Sequence, residues 1–223
     1  MPEVAAPADG SVASRILDAA LALYLERGMR DTSLSAVAAR AGVSRPTVYK
    51  HVGDVATVAS RVVDRELDRF FGALADELAA PGPAVDRLTG AIGFAVAHAR
   101  GHPLLQRLLQ LEPDAILPVF TVAAAPVLRR AVGVLAPVLD AAASDAGQPP
   151  RDRTAAAELL ARLTISLVIT PPLTRDLADV ATLRRLVTAV LAGPAAPAVA
   201  APAGAAPAVS AAPAVSAAPS SAT

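Results

Sequence analysis

An all-α fold is predicted for this 223-residue chain by three features. Hydrophobic residues make up 54% of it, much of that alanine and leucine, and every basic residue but one is arginine; all three are good helix formers. Bulky strand-favouring residues are scarce, with four Phe, two Tyr and no Trp. Between Gly, Pro and helix-capping Ser or Asp, apolar residues recur on one helical face, and no stretch gives a convincing strand pattern.

The elements follow in order. Residues 1–13 read as a disordered arm. The first helix covers 15–27, where Ile16, Ala19, Ala20, Leu23 and Leu25 give an apolar stripe and Gly28 a stop. Ser33 is the expected cap of a short helix over 34–41, broken at Gly42. Ser44 caps a second short helix, 45–51, which Gly53 ends. Asp54 caps a long helix reaching Ala80. After PGP at 81–83, a helix runs to Arg100 and stops at GHP. Further helices are expected over 104–110, 115–123, 126–146, 153–170 and 180–192, with boundaries blurred by prolines at 113, 118, 126 and 137. Pro171 and Pro172 end the penultimate helix, and Asp179 caps the last. Residues 194–223 are low complexity, with APAVSA in tandem at 206–211 and 212–217 and no large side chain to build a core. A disordered Ala/Pro-rich tail is predicted there.

Composition also excludes function classes. With no cysteine, disulfides, thiolate metal sites and cysteine nucleophiles are ruled out. Formal net charge is zero, so only local segregation of charge can favour nucleic acid. The N-terminal stretch carries Glu3 and Asp9 and no basic region, unlike a secretory signal. No run reaches the roughly 18–20 apolar residues that span a bilayer, so cytoplasm is expected and no membrane partner. No nucleophile elbow, phosphate loop, metal set or carboxylate pair stands in a catalytic context, so no enzyme, catalytic residue or cofactor is expected.

The chemistry concentrates in AGVSRPTVYKH, residues 41–51, which holds Lys50, the only lysine of the chain. Leu34, Val37, Ala38 and Ala41 share one face of the first short helix; Val43, Val48 and Val52 point inward from the turn and the second. Gly42 can take the left-handed conformation of a sharp turn. This is helix-turn-helix grammar. Turning Val48 and Val52 inward leaves Arg45, Pro46, Thr47, Tyr49, Lys50 and His51 largely outside. Arginine can fork onto guanine, threonine and proline can touch a thymine methyl, and tyrosine, lysine and histidine reach phosphates. Over residues 14–52, six basic side chains face three acidic ones, a local excess of three positive charges. An ordinary helical hairpin with a solvated polar face would show the same spacing.

The run ILDAALALYLERGMRDTSLSAVAARAGVSRPTVYKHVGD resembles the DNA-binding region of the TetR family of bacterial regulators, and GVSRPTVYKHV is close to the tetracycline-repressor type. The resemblance implies an N-terminal three-helix helix-turn-helix domain over 14–53 and a C-terminal helical dimerisation and ligand domain over 54–193. It implies a homodimer on double-stranded, near-palindromic operator DNA, released by an apolar or amphipathic small molecule. It assigns base-edge contacts to Arg45, Pro46, Thr47 and Tyr49, with Ser44 at the start of that helix. Phosphate contacts fall to Tyr49, Lys50, His51 and the helix start at Thr32 and Ser33. The chain departs from the family where DVATV opens the long helix without the usual lysine, and in having no basic residue before Arg15.

Two further sets are expected in the C-terminal region. A largely apolar pocket between the long helix and those that follow would draw on Phe94, His98, Gln106, Leu109, Phe120, Thr121 and Arg162. The same residues also describe a plain core, and Arg162, four residues from Ser166, is as readily explained by an intramolecular bond. His98 and His102 stand four apart with no third ligand near in sequence, so no metal site is expected. A dimer interface through the last two helices would use Leu159, Leu163, Leu183, Leu186, Val187 and Val190. The competing reading is a helical protein–protein adaptor whose DNA-binding head is vestigial.

Overall fold

A computed structural model describes residues 11–145, 153–170 and 179–192. Within them lie ten helices and no strand. The head comprises α1 (Val12–Arg27), α2 (Leu34–Ala41) and α3 (Arg45–His51). The long α4 (Val55–Leu78) leads to α5 (Ala84–Gly101), α6 (Pro103–Leu111), α7 (Pro113–Phe120), α8 (Ala125–Asp145), α9 (Arg153–Ile169) and α10 (Val180–Ala192).

Side-chain caps set the starts of the short helices. Ser33 Oγ accepts from the Ala36 amide at 3.2 Å, Ser44 Oγ from Thr47 at 3.2 Å, and Asp54 Oδ1 from Thr57 at 2.8 Å. Asp179 Oδ2 does the same for Thr182 at 3.0 Å. Each cap fills one of the backbone donors that a helix start leaves without an intrahelical partner. Two helices, α1 and α7, differ most from expectation. Helix α1 begins at Val12, because Ser11 Oγ accepts from the Ser14 amide, so the arm expected over 1–13 loses its last residues to the helix. Its buried face ends on Tyr24 instead of Leu25, which is exposed. Helix α7 starts at Pro113, which tolerates a first-turn position for want of an N–H, and turns out at Thr121. The tail expected over 194–223 lies outside the described residues.

Two apolar cores divide the described helices. One gathers Ile16, Leu23, Tyr24, Val37 and Val48 of the head, and it also takes in Leu104, Leu108 and Ile116 from α6 and α7. The other is built by α5, α8, α9 and α10 around Leu88, Ile92, Leu139, Leu160 and Leu183. Helix α4 serves both: Val58 and Val62 enter the first, Phe71, Leu74 and Leu78 the second. A rigid helix shared between two cores is a physical link between them.

A second link is polar. Glu112, at the α6–α7 junction, is 6% exposed. Its Oε1 accepts from the Met29 amide at 2.8 Å and its Oε2 from the Arg30 amide at 3.2 Å. Both amides belong to the turn that closes α1. Gly28 opens that turn at φ 93°, and a Cβ there would collide with Glu112 Oε1. Arg107 reinforces the contact, donating to the Glu26 carbonyl at 3.1 Å, and Arg30 pairs with Asp114.

Among the described residues no single helix is long and apolar enough to cross a membrane. Helices α7 and α8 together reach that composition, but they meet at an angle of 46°.

Candidate nucleic-acid interface and interior cavity

Helices α2 and α3 meet at Gly42, whose φ of 66° and ψ of 36° lie in the left-handed region. The Val43 amide returns to the Ala38 carbonyl at 3.0 Å and closes the turn. Val48 is fully buried and Val52 nearly so, which fixes the rotation of α3. Arg45, Pro46, Tyr49, Lys50 and His51 are exposed as a consequence, and Thr47 is half-buried with its hydroxyl 2.8 Å from Ser44 Oγ. Arg40, by contrast, is held by Glu26 at 2.6 Å. Neither Arg45 nor Lys50 has an ion-pair or hydrogen-bond partner among the described residues. The outer face of α3 therefore carries two unneutralised cations, and Tyr49 at 66% exposure stands between them.

Thr32 does not share this surface. Its side chain is 3% exposed, and its hydroxyl donates to the Gly28 carbonyl at 2.7 Å. The expected phosphate contact from this side chain is corrected: Thr32 closes the α1–α2 turn. Ser33 stays exposed and caps α2. His51 also supports the backbone geometry, because its carbonyl accepts from Arg61 at 3.0 Å.

A cavity opens between α4 and the helices that follow, with about 1090 Å³ of empty space counting its open mouth. Of the side chains expected to line it, His98 and Phe120 do. The other five do not. Phe94 stands behind His98, ring centroids 5.5 Å apart, and stacks on Phe70 at 6.3 Å. Gln106 turns away to donate to the Ala99 carbonyl at 2.9 Å. Leu109 packs on the head core. Thr121 is exposed and donates to the Leu117 carbonyl at 2.8 Å. Arg162 is exposed on the outer side of α9 and pairs with Glu158, one turn earlier, at 2.5 Å; its neighbours Ala161, Thr164 and Ile165 face the cavity instead.

Among the described residues four lining side chains are polar: Glu66, His98, His102 and Thr164. Glu66, from α4, was missed by the sequence reading, since a glutamate in an amphipathic helix gives no sign that it faces inward. Its Oε1 accepts from Arg69 at 2.7 Å. His102 caps α6, its Nδ1 accepting from the Leu105 amide at 3.3 Å, so the proton sits on Nε2 and points to Glu66 Oε2 at 3.3 Å. Thr164 donates to the Leu160 carbonyl at 2.8 Å. His98 makes no hydrogen bond among the described residues. Burial, and then the neighbouring His102, hold its imidazole below the ordinary histidine range, against an opposing pull from Glu66. No group of three or more metal-ligating side chains occurs among the described residues.

The expected dimer residues divide. Leu183 and Val187 are fully buried within one subunit, where α10 packs on α5, and the expectation that they form an interface is corrected. Leu159 is 56% exposed, and Leu163, Leu186 and Val190 are half-buried, so these four remain at the surface of α9 and α10.

Residues 16–53 match the family description "Bacterial regulatory proteins, tetR family", and residues 84–197, half of the chain, match "Bacterial Tetracyclin repressor, C-terminal domain". The chain belongs to the TetR family. It is a TetR-family transcriptional regulator with a helix-turn-helix DNA-binding head. Among solved structures it is similar to the TetR family repressor AlkX from Dietzia sp. strain DQ12-45-1b, implicated in biodegradation of n-alkanes. Identity is 26% over 82% of this chain and 97% of AlkX, with a TM-score of 0.60. The fold is also that of the fatty acid degradation regulator FadR from Bacillus halodurans, at 19% identity over 81% of this chain and 96% of that one, TM-score 0.58. FadR from Bacillus subtilis, solved in complex with stearoyl-CoA, shares it at 18% identity over 78% and 96%, TM-score 0.53. No curated protein matches the chain.

Proposed function

We propose that this TetR-family regulator is a repressor that binds a near-palindromic operator as a homodimer and is released by an apolar small molecule. The observation that carries the reading is the outer face of α3. It presents Arg45 and Lys50 without internal partners, beside Tyr49, on a helix locked in rotation by buried Val48. Unneutralised cations flanking an exposed aromatic suit a groove lined with phosphates and base edges. Ser44, Arg45, Pro46 and Thr47 lie at the start of α3, where base-edge contacts would form. Ser33, Tyr49, Lys50 and His51 would take phosphates. The cavity supports a small-molecule effector, because α4 and α6 border it and both contribute to the head core. The surface leucines and valine of α9 and α10 support a paired subunit, in which two such helices from each chain would form an isologous bundle.

A mobility-shift assay on DNA upstream of the protein's own gene tests the reading. A retarded complex that Arg45→Ala weakens is expected. Retardation unaffected by substitutions at both Arg45 and Lys50 would contradict it.

A further inference from the structure

The cavity is distinguished by what its wall lacks. Among the described residues no arginine or lysine lines it. The arginines around it do not reach the wall: Arg69 binds Glu66, Arg130 lies over the Phe71 ring and pairs with Asp68, and Arg65 pairs through Nη1 with Asp18 at 2.8 Å, its buried Nε and Nη2 having no hydrogen-bond partner among the described residues. A carboxylate, phosphate or thioester-linked nucleotide entering this space would find no counter-charge and would face Glu66. A cation fares little better, because both Glu66 oxygens are already engaged, one by Arg69 and one by His102. Burying an unpaired ion against hydrocarbon costs far more than its apolar part recovers. Among the four polar lining side chains, three have their hydrogen bonds made within the protein. Only His98 offers an unused donor and an unused acceptor, with Phe70 at 5.4 Å and Phe94 at 5.5 Å holding its ring in place.

We propose that the cavity selects an uncharged, predominantly hydrocarbon molecule bearing one hydrogen-bonding oxygen, and that His98 is the residue that binds this oxygen. An alcohol, ketone or ester fits this description; a fatty acid or its coenzyme A thioester does not. The aliphatic and aromatic wall accepts the hydrocarbon part, and a single fixed polar group orients it. This proposal rests on the effector reading above, and it narrows that reading to one chemical class.

The test is a calorimetric titration of the full chain, without DNA, against three probes of equal chain length below their micelle-forming concentrations. The probes are decanol, decanoate and decyltrimethylammonium. Decanol should bind, and each ion should bind at least about tenfold more weakly. His98→Leu should weaken decanol binding about fivefold, the loss of one hydrogen bond. Equal or tighter binding of either ion, or no binding of decanol, overturns the proposal. Unchanged decanol affinity in a folded His98→Leu protein removes the role of His98; should that variant not fold, the wild-type series still decides the ligand class. Adding operator DNA separates this proposal from the reading beneath it. Decanol bound in the expected pattern while DNA stays bound supports the ligand class and contradicts release by an effector.

Discussion

Arg45 and Lys50 both leave their positive charge unneutralised on the same short helix, yet they should act differently. Arg45 sits at the first position of α3, where its planar fork can engage a guanine edge in two hydrogen bonds. Arg45→Ala should cost about 1–3 kcal/mol per half-site and relax preference at one base pair. Lys50, in the last turn, is a point charge suited to phosphate. Lys50→Ala should weaken binding to all duplexes alike and flatten the dependence of log K on log salt by about one unit per lost contact. Titrations at several salt concentrations separate the two, and exchanged signatures would reverse the assignments. His98 gives a second residue-scale prediction. Its proton affinity in the folded state lies below the ordinary value of 6.5. The unfolded chain therefore binds more protons in the window below 6.5. The stability this group contributes is present above that pH and is lost as pH falls through the folded value. The groups facing His98 that carry or can carry charge are Glu66 of α4 and His102 at the start of α6, and both remain in a His98→Gln protein. That variant should lose less Tm than wild type on acidification from about pH 7.5 to pH 5. Parallel melting curves for the two proteins would refute the point.

Besides their apolar packing and two arginine contacts, helices α6 and α7 hold the turn after α1 through the Glu112 carboxylate. Glu112→Ala leaves the Met29 and Arg30 amides without this acceptor in a partly buried turn and should cost about 1 kcal/mol. Gly28→Ala attacks the same contact from the other side, since its methyl group collides with Glu112 Oε1. The two losses should therefore not add, and a double-mutant cycle by denaturant melts reads the coupling. Strict additivity would mean that the turn does not depend on this carboxylate. None of this contact was legible in LEP, residues 111–113, because a tertiary hydrogen bond across more than eighty residues leaves no local pattern. The helices themselves were legible, and for a reason: Ser33, Ser44, Asp54 and Asp179 cap from within the sequence, and Gly42 and Gly28 stop by backbone conformation. Rotation about the helix axis was legible where one face is plainly polar, as in α3. It failed where both faces are apolar. In α9 nothing in the sequence distinguishes Leu160, which is buried, from Leu159, which is not. In α10 the stripe from Leu183 to Val190 is wide enough to serve two partners; its Leu183–Val187 edge meets α5 and its Leu186–Val190 edge does not disappear inside the subunit. Leu186→Asp combined with Val190→Asp should accordingly yield monomers in sedimentation without unfolding the subunit. A soluble, fully dimeric double variant would remove α10 from the interface.

At the scale of the whole molecule, the helix-turn-helix head is connected to the cavity through shared helices. The connection is physical: α4 contributes to both cores, and α6 carries Leu104 and Leu108, which line the cavity and also pack under the head. An occupant that favours one spacing of α4 and α6 biases the head, and by linkage DNA must then bias the cavity by the same factor. Operator DNA should weaken decanol binding by the same factor by which decanol weakens operator binding; decanol affinity that is unchanged by operator DNA would mean that cavity and head are not coupled. All of this presupposes that the chain reads DNA as a pair of heads. Selection of bound sequences from a pool of random duplexes examines that directly. Enrichment of a near-palindrome whose half-site centres lie about 34–36 Å apart or a multiple of it, bound by two chains, is expected, and the Arg45→Ala protein should lose preference at one base pair of each half-site. A pool that shows no enrichment, or an enriched single half-site bound by one chain, would contradict it.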